Sequence, residues 1–208
     1  MKSRFIKKNK SVFFQKDLTN LCQCGIIHSY KGGKKVDKII IDFSDFYGGW
    51  MNMIVYDYRS NETRKMRISY IQDFFDDLLM LCRFLLSDIT GIYEVFIDQE
   101  GFDASIKVYR YDKDKDVMSV EIREQRFEDE IQNKDVDLLD DTLYYTNVKI
   151  TNFVENIINL IEKYKLEYNE SFVLSPSNML DEELLENVKK QLIKEKEWRD
   201  FCEKTSNT

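Results

Sequence analysis

A chain of 208 residues with a formal net charge of −7 has room for one large domain or two small ones. Hydrophobic residues make up 43% and charged residues 33%, a balance that fits a globular protein with a proper core and excludes fibrous or disordered classes. A single proline, Pro176, and seven glycines leave no low-complexity linker, and no apolar run reaches the roughly 18 residues that a membrane span needs.

Residues 1–37 read as a basic N-terminal arm. Through residue 38 there are ten Lys/Arg against Asp17 and Asp37, a net of +8, so the remainder carries −15. Such asymmetry marks a partner-binding arm, or an arm that lies across its own acidic body. The arm has no apolar core segment and no small-residue cleavage site, so a signal peptide is not expected. Cys22, Cys24, Cys82 and Cys202 fit a reduced, cytoplasmic setting.

The span 38–150 reads as an α+β core. Residues 38–46 (KIIIDFSDF after the lysine at 38) combine a β-branched run with alternation, Gly48-Gly49 marks a turn, and 50–58 alternates as a second strand. A polar turn at 59–62 leads to a third strand at 63–69. Residues 69–87 (SYIQDFFDDLLMLCRFLLS) are the stretch around which the rest is organised. Ser69 and Gln72 have capping-box spacing, and Asp73, Asp76 and Asp77 suit the positive end of a helix dipole. The apolar positions from Ile71 to Leu86 cover too wide a face for a surface helix, so a central buried helix is expected.

A second meander follows, with strands at 92–98, 104–111 and 117–123 and a charged hairpin loop at 112–116. The order βββ-α-βββ implies antiparallel sheet, here expected as one sheet with the helix laid on a face. Residues 121–141 hold nine carboxylates against Arg123, Arg126 and Lys134, and read as an exposed segment after the last strand of the meander. Another strand is expected at 143–150. The region 151–208 reads as a C-terminal helical pair packed on the core. Asn152, with Glu155 three residues on, is placed to cap the first of these helices, which runs to about 164. Residues 175–178 open the second, whose apolar stripe runs from Leu180 to Ile193 and extends to Trp198 and Phe201.

Chemistry-bearing motifs are few. Cys22, Cys24 and His28 lie close in sequence, but the C-x-C spacing is tight and a structural zinc site needs four ligands, so no metal and no cofactor is expected. His28 is the only histidine, and no oxyanion-hole or third-residue signature accompanies a Cys–His pair. Asp103, Glu121 and Arg123 suggest a metal-dependent nuclease arrangement. Arginine, however, stays protonated and cannot act as the base, and strand alternation explains these residues better. No phosphate-binding glycine loop is present. The expectation is therefore a non-enzymatic protein.

Two partner classes remain. Asp112, Asp114, Asp116, Glu128, Asp129, Glu130, Asp135 and Asp137 form an acidic set able to meet a basic protein surface. Lys2, Arg4, Lys7, Lys8 and Lys10, interleaved with Phe5, Phe13 and Phe14, form a set able to contact phosphates and stack on bases.

The span 69–122, with Ser69-Tyr70-x-x-Asp73 before a Leu-rich helix and then YEVFIDQEG and two alternating strands, resembles small α+β immunity-type proteins of bacterial toxin–immunity loci. That resemblance covers about a quarter of the chain. It implies a binding protein that neutralises a toxin or nuclease through an acidic surface. The alternatives are a nucleic-acid-associated protein using the basic arm, or a phage-type inhibitor of a bacterial defence enzyme.

Overall fold

The computed structural model describes residues 39–47, 50–57, 62–69, 71–99, 103–127, 138–168 and 180–206. The basic arm, including Lys2, Arg4, Lys7, Lys8, Lys10, Cys22, Cys24 and His28, lies outside the described residues, as do Glu128, Asp129, Glu130, Asp135 and Asp137. The element order is β1 (Ile39–Tyr47), β2 (Trp50–Asp57), β3 (Glu62–Ser69), α1 (Ile71–Leu85), β4 (Gly91–Asp98), β5 (Asp103–Arg110), β6 (Val117–Phe127), β7 (Leu138–Lys149), α2 (Ile150–Tyr168) and α3 (Glu182–Ser206). This is an α+β fold of antiparallel meanders with a central buried helix and C-terminal helices.

The strands form two sheets rather than one, ordered β1-β2-β3 and β4-β5-β6-β7. The break falls where α1 intervenes, because 15 helical residues carry the chain away from the β3 edge before β4 begins. Helix α1 then packs against both sheets. Phe43 of β1 meets Phe74 and Phe75 edge-on at 6.2 and 5.4 Å, and Phe84 lies 5.4 Å from Tyr93 of β4. Phe75 also contacts Tyr164 of α2 at 4.7 Å. Leu78, Leu79, Leu81 and Cys82 are fully buried, and with the inward rows of both sheets they form one continuous core.

The inward rows follow strand alternation. In the first sheet Met51, Met53, Val55, Met66 and Ile68 are buried. In the second, Tyr93, Val108, Val120 and Tyr145 align across four strands, as do Val95, Ile106, Ile122 and Leu143. Between β6 and β7 the register shifts near Met118 and Val120, and Asn147 takes φ +57°. An extra residue would reverse every following side chain. The bulge absorbs it, so Tyr145 and Val148 both face the core.

Two sequence expectations change. Ser69, expected to open α1, is also the last residue of β3, paired with Trp50 and buried. Asn152 lies inside α2, two residues past its start, and is exposed. Trp198 and Phe201 do not extend the buried stripe of α3. They are 61% and 59% exposed, because that stripe ends at Leu192 and the helix runs on past the core.

Helices α2 and α3 are joined antiparallel by three ion pairs: Lys165 with Glu182 at 2.6 Å, Lys189 with Glu162, and Lys196 with Glu155 at 2.6 Å. Asp181 caps α3, its Oδ1 accepting the Leu184 N–H at 2.9 Å, while its own N–H donates to Asp76 Oδ1 on α1. Asn156 of α2 uses both ends of its amide on the backbone of Ile41. It accepts that residue's N–H at 3.1 Å and donates to its carbonyl at 3.3 Å, covering the outer edge of β1.

Candidate protein-binding surface

Of the acidic residues singled out in the sequence, Asp112, Asp114 and Asp116 lie among the described residues, at the β5–β6 turn of the four-stranded sheet. Strand β6 spans 11 residues, about 35 Å at a strand's rise. The β5–β6 turn with Asp112, Asp114 and Asp116 is at one end, and Phe127, paired with Leu138, is at the other.

At the turn, Asp112 Oδ1 accepts the Asp114 N–H at 3.0 Å, and its Oδ2 lies 2.8 Å from Lys115 Nζ. The Lys115 hydrogen bond, followed by that N–H, holds the Asp112 carboxyl below the usual carboxylate range. The same pairing raises Lys115 above the ordinary lysine value. Asp112 and Asp114 are available to solvent. Asp116 points the other way, with Oδ1 accepting the Thr151 N–H at 2.9 Å and Oδ2 accepting the Thr151 hydroxyl at 2.6 Å. It caps α2 from 35 residues away, a role no local spacing announces. Arg199 and Lys149 each approach Asp116 to 3.8 Å.

Beneath the turn, Arg110 is 3% exposed and binds backbone carbonyls only. It donates to Ser87, to Ile89 at 3.5 Å and to Lys113 at 3.1 Å, tying the α1–β4 connection to the β5–β6 turn. Burial pulls its guanidinium below its ordinary value. A cavity of about 650 Å³ opens beside this end, lined by Asp114, Asp116, Thr151, Lys196, Trp198 and Cys202 among others. Its cations are committed to ion pairs: Lys196 to Glu155, and Arg199 to Glu195 and Asp116.

At the far end, residues 124–127 and 138–141 of the acidic stretch are strand where a post-strand segment was expected. Strand β6 continues to Phe127, and β7 starts at Leu138. Glu124 stands opposite Asp141 and pairs on its other side with Ala104 of β5, while Gln125, opposite Asp140, lies past that last β5 partner. Cross-strand pairing along β6 and β7 extends this ladder, so charge repulsion does not peel it apart.

The outer face of the sheet holds what sequence reasoning missed. Tyr109 stacks on Tyr111 with centroids 6.2 Å apart, and Tyr144 meets Tyr109 at 6.3 Å and 62°. The Tyr109 hydroxyl donates to Glu121 Oε2 at 2.6 Å, and Lys107 lies 3.1 Å from Glu94 and 3.9 Å from Glu121. Alternation placed Tyr109 on this face, but Tyr111 and Tyr144 come together only through pairing. The register also separates the nuclease-like acids. Ser105 faces Arg123, so Asp103 and Glu121 stand four ladder positions apart, about 13 Å, too far to share an ion. Among the described residues no group of three His, Cys, Asp or Glu is placed to hold a metal, and no helix is long and apolar enough to cross a membrane.

In comparisons with known proteins, no family model, curated protein or solved structure matches this chain.

Proposed function

We propose that the protein is a non-enzymatic binding protein that neutralises a toxin or nuclease by presenting an acidic surface to a basic groove, and that the β6–β7 hairpin is the principal part of that surface. The observation that carries this reading is the pairing of acidic residues near the far end of β6 and β7, Glu124 opposite Asp141, at the last position that β5 supports. Glu124 accepts from the Gln99 amide at 3.4 Å, and like charges opposite on a ladder favour an added cation. In sequence, the segment that links β6 and β7 adds Glu128, Asp129, Glu130, Asp135 and Asp137. A field of this sign speeds encounter with a basic partner more than it tightens the final complex.

The test compares the protein with a variant carrying Glu128→Gln, Asp129→Asn, Glu130→Gln, Asp135→Asn and Asp137→Asn. Both are used to capture partners from the native host at several salt concentrations. The reading expects a basic protein retained by the parent, captured more slowly by the variant and with a flatter salt response. The toxic or nuclease activity of that protein should fall when the parent is added. A partner captured equally by both, with the same salt slope, would move the surface elsewhere.

A further inference from the structure

We propose that the cavity at the end of α3 is the seat of the chain's own N-terminal arm, and that residues 2–16 dock there against Trp198 and Phe201. The cavity, about 650 Å³, lies between the β5–β6 turn, the start of α2 and the last turns of α3. Trp198 lines it and stacks on Phe201 with centroids 6.1 Å apart. Both rings are mostly exposed, beyond the point where the buried stripe of α3 ends, and an uncovered aromatic pair of this kind marks a contact surface.

Position selects the occupant first. Asn156 of α2 holds the Ile41 backbone, and the adjacent Glu155 pairs with Lys196, two residues before Trp198. Farther along β1, Asp42 lies 3.6 Å from Lys163, so β1 runs toward the far end of α2. Ile39, where the arm joins the body, is therefore on the side of the α2 start, which lines the cavity with Thr151 and Asn152. The 25 residues from Phe14 to Ile39 can extend over about 80 Å, so reach does not limit docking. The tether also sets an effective concentration on the order of millimolar, an advantage that a separate chain of similar affinity lacks.

Charge selects it next. The three cations that line the cavity, Lys149, Lys196 and Arg199, are each paired, with Asp116, Glu155 and Glu195. Asp114, Asp200 and Glu203 line it as well, which leaves an excess of three negative charges. Counting all of residues 112–116 and 195–204 with Lys149 and Glu155 keeps the sign, at eight carboxylates against six cations. Residues 2–16 carry six Lys/Arg, no carboxylate and three phenylalanines, so they match both the charge and the aromatic pair. A second copy of α3 would bring carboxylates to carboxylates. The cavity and the Glu124–Asp141 pair lie at opposite ends of β6, so this docking does not rest on the hairpin reading.

The test uses the full-length protein labelled with 5-fluorotryptophan. Its two signals, Trp50 and Trp198, are assigned with Trp198→Phe, and the relaxation of each by a neutral gadolinium chelate is measured. Reversing the arm with Lys2→Glu, Arg4→Glu, Lys7→Glu and Lys8→Glu should raise the relaxation of Trp198 at least about threefold and leave Trp50 unchanged. Phe13→Ser with Phe14→Ser should act in the same direction. Sodium chloride at 1 M, where the screening length falls to about 3 Å, should expose Trp198 in the parent. Adding Asp200→Lys and Glu203→Lys to the reversed arm should restore the shielding, because the charges match again. The proposal is overturned if the arm variants leave Trp198 unmoved, if Trp50 and Trp198 change alike, or if the α3 substitutions do not rescue the reversed arm. Shielding of Trp198 that follows protein concentration equally in parent and reversed arm would assign the cavity to a second copy and overturn it too.

Discussion

At the scale of single residues, Asp116 does the most that composition conceals. Its carboxylate satisfies the first turn of α2 through Thr151 and stands within 3.8 Å of Arg199 on α3, so one side chain joins turn, α2 and α3. Asp116→Ala removes the cap and leaves a buried hydroxyl short of its acceptor. A loss of about 1–3 kcal/mol is expected in urea denaturation. Thr151→Val should cost less, and the double variant should fall short of the sum, because both act on one interaction. The tyrosines give a pH signature. The folded values of Tyr109 and Tyr111 lie above those of the unfolded chain, through burial first and acidic neighbours next. Their contribution to stability is therefore complete below about pH 10 and is lost as pH rises toward 12. Tyrosinate absorbance should show this late titration in the parent, and Tyr111→Phe should remove one late step.

At the scale of elements, α1 and the β6–β7 ladder carry the architecture. Leu78 is fully buried in a helix that both sheets pack against. Leu78→Ala should cost about 2–5 kcal/mol in a denaturation titration, because transfer and cavity terms add. A loss near 1 kcal/mol would mean that the site collapses or that the helix is less central. The bulge gives a paired test at Asn147. Its φ of +57° is tolerated by asparagine and suits glycine, while a β-branched residue is strained there. Asn147→Gly should leave stability nearly unchanged, and Asn147→Val should cost about 1–2 kcal/mol.

At the scale of the whole molecule, a chain of net −7 places like charges opposite one another at the end of its second sheet. Asp141→Asn should therefore stabilise the fold by about 0.2–1 kcal/mol at low salt, with the gain shrinking as salt is added. Thermal denaturation across a salt series checks the sign. A destabilised variant would mean that Asp141 makes a favourable interaction outweighing the repulsion.

How much was legible in the sequence follows from how local each signal is. The α+β class, the central helix and the six meander strands were readable because periodicity and turn residues act within a dozen positions. Ile106, Val108, Val120 and Ile122 alternate inward as their spacing implied. Tertiary structure decided what depends on distant partners. Ser69 precedes α1 and also ends β3, because its backbone pairs with Trp50. Asp116 lies in a charged loop, yet it turns inward to a helix end 35 residues on. Residues 124–127 and 138–141 read as an acidic segment because charge masks alternation, yet ladder pairing makes them strand. The tyrosine cluster had no signal of its own, since Tyr111 and Tyr144 are 33 positions apart and only the β6 register and its bulge bring them to one face. Sequence by itself determined which segments form elements, because propensity and periodicity are local; only the tertiary structure decided which side chains share a surface, because register and bulges are set by the packing of the whole sheet.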